Sequence, residues 1–159
     1  MGKETGRKPL IMVLETLQDP GNLGTIIRAG EGAGITGVLM NRETADIFSP
    51  KVIRSTMGAV YRVPFVYTDD LKGAVSEMKE EGIRFYAAHL KGTKDYDEEA
   101  YTEAAAFMIG NESKGLSEEL SGIADSLVKI PMEGQVESLN AAVAASVLMF
   151  EAARQRRRR

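Results

Sequence analysis

Phe107-Met-Ile-Gly-Asn-Glu-Ser-Lys-Gly115 and, after a short gap, Val128-Lys-Ile-Pro-Met-Glu-Gly-Gln-Val-Glu-Ser-Leu-Asn140 decide how this chain is read. The first is a buried apolar strand that opens into a Gly/Asn/Glu loop. The second is an apolar strand ending at Pro131, then a polar loop that delivers Ser138 and Asn140 to the start of a long helix. Strands whose C-terminal ends open into polar, glycine-bearing loops describe the crevice where parallel α/β sheets bind ligands. If strands 107–110 and 127–130 are neighbours, Gly110, Asn111, Glu112, Ser138 and Asn140 come together. The pattern points to a small-molecule site without naming the molecule.

Working outward, Leu10–Leu14 is a continuous apolar run of strand length, as expected for a parallel strand covered on both faces. An Asp-Pro-Gly turn follows, and Asn22 reads as the N-cap of a helix to about Gly34. Leu23, Ile26, Ile27 and Gly30 form its inward stripe. Arg28 falls beside that stripe, where an arginine is uncommon unless it is paired or lines a cavity. Gly37–Met40 is a second strand and Ser49–Met57 a helix capped by Ser49 and Pro50. Tyr61–Tyr67 reads as a strand that Pro64 confines to a sheet edge or end. Asp69 and Asp70 cap a helix over 71–81, and Ile83–Ala88 is the next strand. Lys91–Tyr101 reads as a polar loop or lid over the crevice. Ala105–Gly110 and Ser126–Ile130 complete the strands, and Leu139–Arg154 is a final helix apolar on most sides. Strands alternating with helices predict an α/β fold, a mainly parallel sheet with helices on both faces.

The 159 residues, 43% hydrophobic and 27% charged, fit one globular domain over 1–159, with residues 1–9 expected to be flexible and 155–159 a basic tail. The absence of cysteine removes disulfides and thiolate metal sites, and a single histidine, His89, argues against a zinc site or a Ser-His-Asp triad, so no metal is expected. No apolar run approaches a membrane span and Met1–Pro9 has no signal core, so no membrane partner and a cytoplasmic location are expected. The net charge of −3 gives no global case for nucleic acid. Arg154 and Arg156–Arg159 form a cationic C-terminus that reads first as a complement to the helix dipole, fraying into solvent. The last helix is apolar on more sides than one sheet can cover, which predicts a homodimer through Leu148, Met149 and the faces of Leu139–Ala153.

Three motifs carry chemistry. Asn22-Leu-Gly-Thr-Ile-Ile-Arg28 follows a strand and opens a helix, a place for an anion, but no Gly-Lys-Ser/Thr ending makes it a P-loop. Gly21 and Gly24 have the wrong spacing for a dinucleotide fingerprint, which disfavours an oxidoreductase. Gly110–Gly115 alone is a turn, and Ser138-x-Asn140 alone is an N-cap pair.

In combination and in this order the three resemble the SpoU (TrmH) family of RNA ribose 2′-O-methyltransferases. Asp19-Pro-Gly-Asn-Leu-Gly-Thr-Ile-Ile-Arg28 is similar to its first motif, Ile109-Gly-Asn-Glu-Ser-Lys-Gly-Leu116 to its second, and Ile130-Pro-Met132 with Ser138-Leu-Asn-Ala-Ala-Val-Ala144 to its third. Arg54-Ser-Thr-Met-Gly-Ala59 is similar to the family's linking segment. The resemblance implies a C-terminal deep trefoil knot, S-adenosylmethionine as methyl donor, tRNA or rRNA as substrate, and a dimer that completes the site. It assigns Gly110, Ile130 and Leu139 to the methyl donor, Arg28 to catalysis, and Asn22, Glu112, Ser138 and Asn140 to the other active-site positions. Arg28 then acts either as a base or as an electrostatic stabiliser.

Two residues depart from the family pattern. Ser113 replaces a usual glycine, and Ala142 a usual hydroxyl residue. They leave open a second reading, an RNA-binding module that keeps the knotted pocket without full catalysis. Family members often carry a separate N-terminal RNA-recognition domain; about nine residues precede the first strand here, so a minimal member or an excised catalytic domain is expected.

Overall fold

The computed structural model describes residues 7–136 and 139–157. Seven strands form one parallel sheet: β1 (Leu10–Leu14), β2 (Gly37–Asn41), β3 (Phe65–Thr68), β4 (Arg84–Ala88), β5 (Lys94–Asp95), β6 (Ala105–Ile109) and β7 (Ser126–Lys129), in the spatial order β3-β2-β1-β6-β4-β7-β5. Five helices connect them: α1 (Pro20–Ala33), α2 (Pro50–Thr56), α3 (Leu71–Glu80), α4 (Glu118–Ile123) and α5 (Ala141–Arg157).

Strand side chains alternate between faces, so β1 alone serves two cores. Leu10, Met12 and Leu14 pack with Leu23, Ile26 and Ile27 of α1 and with Ala145, Leu148 and Met149 of α5. Ile11 and Val13 pack on the other side with Leu71 and Val75 of α3 and Leu120 of α4. Helices therefore cover both faces, as the apolar run of β1 requires.

Several expectations are corrected. The strands holding the second and third motifs are not neighbours, because β4 pairs with both β6 and β7 and lies between them. Their loops still meet, since parallel strands open at the same end. Asp19, not Asn22, caps α1: its carboxylate accepts the Gly21 N–H at 2.9 Å, with Pro20 as the first helical residue. Tyr61 belongs to a 3₁₀ turn over Ala59–Tyr61, and the strand begins only at Phe65, after Pro64. It is the sheet edge that the proline implied. Lys91–Tyr101 is not a free lid, because Lys94 and Asp95 add a parallel edge strand to β7. Helix α4, nucleated by the Ser117 cap on Leu120 N–H at 3.2 Å, was not anticipated; it is too short to show a period.

The last helix also differs. Leu148 and Met149 are fully buried within the subunit and cannot form an interface between copies. The exposed stripe is Val143 and Phe150, seven residues apart on the same side. Gln155–Arg157 continue α5 and are not a tail. Arg156 donates to the carbonyls of Tyr101, Lys8, Pro9 and Glu103 at 2.8–3.0 Å, clasping the chain around the start of β1. Arg154 pairs with Glu151 at 2.7 Å.

Candidate functional site

The loops after β4, β6 and β7 and the first turns of α5 enclose a cavity of about 630 Å³. Its apolar wall includes Leu90, Ile109, Ile130 and Leu139, and its polar rim runs from Gly110 to Gly115. That is the size and lining of a small-molecule site.

The loop after β6 is a closed knuckle. Asn111 and Gly115 exchange backbone hydrogen bonds at 3.2 and 2.9 Å, and the Asn111 side-chain oxygen accepts the N–H groups of Ser113 and Lys114. A Cβ on Gly110 would lie 2.1 Å from both the Gly115 carbonyl carbon and the Leu116 nitrogen. Glycine is needed at 110 because the loop closes on itself there. The residue with positive φ is Gly115, at 72°, and Ser113 is not among such residues, so serine at 113 meets no conformational demand for glycine.

Two anchors tie this knuckle to the segment before α1. Asn111 donates its side-chain N–H to the Thr16 carbonyl at 2.9 Å, and Ser117 N–H donates to the Glu15 carboxylate at 2.7 Å. Glu112 then reaches across to the helix start, accepting Gln18 N–H at 3.1 Å, Asp19 N–H at 2.7 Å and the Asn22 amide at 3.4 Å. Partial burial works to raise the Glu112 pKa, but the backbone donors at Asp19 and Gln18 and the Asn22 amide outweigh it and hold the group below the usual carboxylate range. It is ionised at neutral pH with both oxygens engaged.

Asn22 is buried, and its oxygen accepts the Asn140 amide N–H at 3.1 Å. Asn140 in turn caps α5, its oxygen accepting Ala142 and Val143 N–H at 2.8 and 3.2 Å. Both amides are oriented by this pattern: the carboxylate of Glu112 demands a donor from Asn22, and the α5 amides demand an acceptor from Asn140. One hydrogen-bonded line, Glu112–Asn22–Asn140, thus joins three segments far apart in sequence.

Of the residues singled out from sequence, Gly110, Glu112, Ile130 and Leu139 line the cavity, while Asn22 and Asn140 stand behind Glu112. Ser138 lies outside the described residues. Arg28 does not line the cavity; it is exposed on α1, and its side chain makes no hydrogen bond or ion pair among the described residues. The buried, paired position that the helical stripe implied is therefore not what it occupies. Sequence reasoning missed His89 and Leu90, which line the cavity from the loop after β4. The signal was Gly92, where a Cβ would come within 2.7 Å of the Val128 carbonyl carbon, so that loop lies directly on β7. Ala142, the second departure, is buried at 2% exposure on the inner side of α5.

The SpoU rRNA Methylase family model matches residues 9–150. The chain belongs to the SpoU methylase family. It is 38% identical over 146 residues to the Bacillus subtilis 23S rRNA (guanosine(2553)-2′-O)-methyltransferase RlmP, an alignment covering 92% of this chain and 58% of that protein. The SpoU methyltransferase AviRb from Streptomyces viridochromogenes, in complex with the cofactor AdoMet, superposes with a TM-score of 0.88 at 32% identity over 96% of this chain and 62% of the other. A structure concerned with 2-OH methylation of C/U34 on tRNA gives a TM-score of 0.85 at 31% identity, covering 96% and 99% of the two chains. This SpoU-family chain spans less than two thirds of the length of the curated relatives it matches. Among its described residues no helix is long and apolar enough to cross a membrane, and no cluster of His, Cys, Asp or Glu could hold a metal ion.

Proposed function

We propose that this SpoU-family chain transfers a methyl group from S-adenosylmethionine to the ribose 2′-hydroxyl of an rRNA or tRNA nucleotide. The observation that carries the proposal is the Glu112–Asn22–Asn140 line, which holds the three motif segments together beside a cavity of nucleoside size. The residues present fit the donor: the closed Gly110 knuckle presents backbone, and Ile130 and Leu139 supply apolar walls. When bound, S-adenosylmethionine supplies an already activated methyl group. The protein's work is then alignment and charge.

Glu112, ionised and with both oxygens engaged, is a positioning residue; it fixes Asn22 and through it Asn140. Arg28, a guanidinium free of any carboxylate among the described residues, stabilises the oxyanion that develops as the ribose hydroxyl loses its proton. Ser138 belongs to the same set by its place in the third motif. The knotted course is part of this reading. β7 lies beyond β4 from β6, whereas Asn140 bonds Asn22, which follows β1 on the other side of β6; this placement supports it. Neither departure disturbs the line, which favours this reading over a non-catalytic module: Ser113 needs no special φ, and Ala142 joins the line through its backbone N–H to Asn140. Calorimetry tests the donor directly: S-adenosylmethionine is expected to bind and NAD is not, and the reverse would point to a nucleotide oxidoreductase.

Arg28 lies outside the cavity lining of its own subunit, which supports a homodimer in which a second copy completes the site. Val143 and Phe150, 47% and 46% exposed on one side of α5, form the contact in this reading. Phe150→Glu is expected to give a folded monomer by light scattering that still binds S-adenosylmethionine but transfers no methyl group. A monomer with full turnover would remove the dimer from the mechanism.

A further inference from the structure

Arg28 shares a stripe of α1 with Gly24 and Glu31, which stand four residues before it and three after. The chain after β2 covers both ends of that stripe. Gly24 lies under α2, where a Cβ would come within 1.7 Å of Ser55 Oγ, and Glu31 accepts from Arg62 Nη2 at 2.9 Å. Arg28 therefore faces the seam where α2 turns into the 3₁₀ segment ending at Tyr61.

That turn is made by two successive residues with positive φ, Met57 at 54° and Gly58 at 91°. Positive φ at a methionine is a strained choice, of the kind that persists where it serves a site. Its result is unusual: Met57 is 68% and Tyr61 77% exposed, two large apolar side chains in water on a well-packed element. On α1 and α2, Arg28, Lys51 and Arg54 are exposed, and their side chains make no hydrogen bond or ion pair among the described residues. A chain of net charge −3 thus presents three exposed cations, unpaired among the described residues, on the two helices that precede Tyr61.

A ring with a soft thioether beside it offers a face for a base, and the cations offer partners for phosphates. A duplex hides its base faces, so the matching ligand is unpaired RNA. We propose that Tyr61, with Met57, is a stacking platform for an unpaired base beside the target nucleotide, with Lys51 and Arg54 holding the adjoining phosphates. The proposal rests on the RNA methyltransferase reading and names the form of substrate taken, a single-stranded segment. The proposed contact between copies is carried by α5, whose Phe150 Cζ would lie 3.6 Å from a Cβ on Gly32 of α1, whereas Tyr61 belongs to the 3₁₀ turn after α2.

The test uses a labelled oligoadenylate, alone and annealed to oligouridylate, with wild type, Tyr61→Ala and Tyr61→Trp. Tyr61→Ala is expected to bind the single strand on the order of tenfold more weakly. Tyr61→Trp should restore it, duplex binding should be unchanged in both, and light scattering should show the wild-type oligomer. Equal losses on single strand and duplex, or no loss on either, would overturn the platform. A change of oligomeric state in Tyr61→Ala would also overturn it, by showing that a second copy occupies the patch. Wild-type methyl transfer to bulk rRNA or tRNA, with unaltered single-strand affinity in Tyr61→Ala, removes the platform alone. Loss of single-strand affinity in a protein that transfers no methyl group supports the platform and removes the enzymatic reading.

Discussion

Arg28→Lys is expected to lose methyl transfer by on the order of 100-fold or more, while melting at the wild-type temperature and binding S-adenosylmethionine unchanged. Lysine keeps the positive charge but replaces a planar fork of donors with a point charge, so a site that uses guanidinium geometry at a developing oxyanion suffers and a site that uses charge alone does not. The stability half of the expectation follows from the structure. Arg28 is exposed and its side chain engages no carboxylate among the described residues, so replacing it breaks no structural ion pair. Surface changes of this kind stay within about 0.5 kcal/mol. The donor affinity is preserved because the walls proposed to hold the donor, at Gly110, Ile130 and Leu139, are untouched by the change. Single-turnover transfer, calorimetry and a thermal melt on one variant check all three parts, and near-normal turnover would take Arg28 off the catalytic list.

Glu112→Gln is expected to lower methyl transfer by a similar factor through a different route. The carboxylate accepts three donors, Gln18 N–H, Asp19 N–H and the Asn22 amide, and an amide in its place turns one acceptor into a donor facing those N–H groups. Asn22 then loses its orientation and Asn140 its partner, and misplacement of a reacting group by about 1 Å can cost 10²-fold. A stability loss should accompany it, which Arg28→Lys lacks. The pH dependence carries a sign. The folded-state pKa of Glu112 lies below its ordinary value, so its contribution is present above the unfolded-state pKa and is lost as pH falls through the folded one. The gap in melting temperature between wild type and Glu112→Gln should therefore hold at neutral pH and close in acid below the usual carboxylate range. A constant gap across that window would show that the variant acts by packing and not through the ionised group.

How far the residues themselves revealed this molecule depended on whether the information was local. The run Leu10–Leu14 announced a strand buried on both faces, and Pro64 announced an edge; both hold because the deciding physics lies within a few residues. Strand order is not local. Nothing in residues 84–88 says that they separate the strands of the second and third motifs, and the placement emerges only when the whole sheet is assembled. The same limit misplaced Asn22. As a cap it satisfied every local rule, yet Asp19 takes that role and frees Asn22 to bond Glu112, 90 residues away, and Asn140, 118 residues away. Gly110 read locally as part of a turn, and the demand for glycine there comes from the loop's own backbone at Gly115, which shows only once the loop is closed. Leu148 and Met149 were correctly apolar and wrongly placed, because a helix apolar on most sides does not declare which side a single subunit covers.

The most direct measurement of the central claim is to incubate the protein with methyl-labelled S-adenosylmethionine and bulk rRNA or tRNA, then hydrolyse the RNA with alkali. Methylation of the 2′-hydroxyl removes the nucleophile that alkali uses to cleave the adjoining phosphodiester. Label is expected in alkali-resistant dinucleotides, and it should fall on the order of 100-fold or more in Arg28→Lys. Label released in mononucleotides, as from a methylated base, or no transfer by a protein that binds the donor, would contradict the central claim.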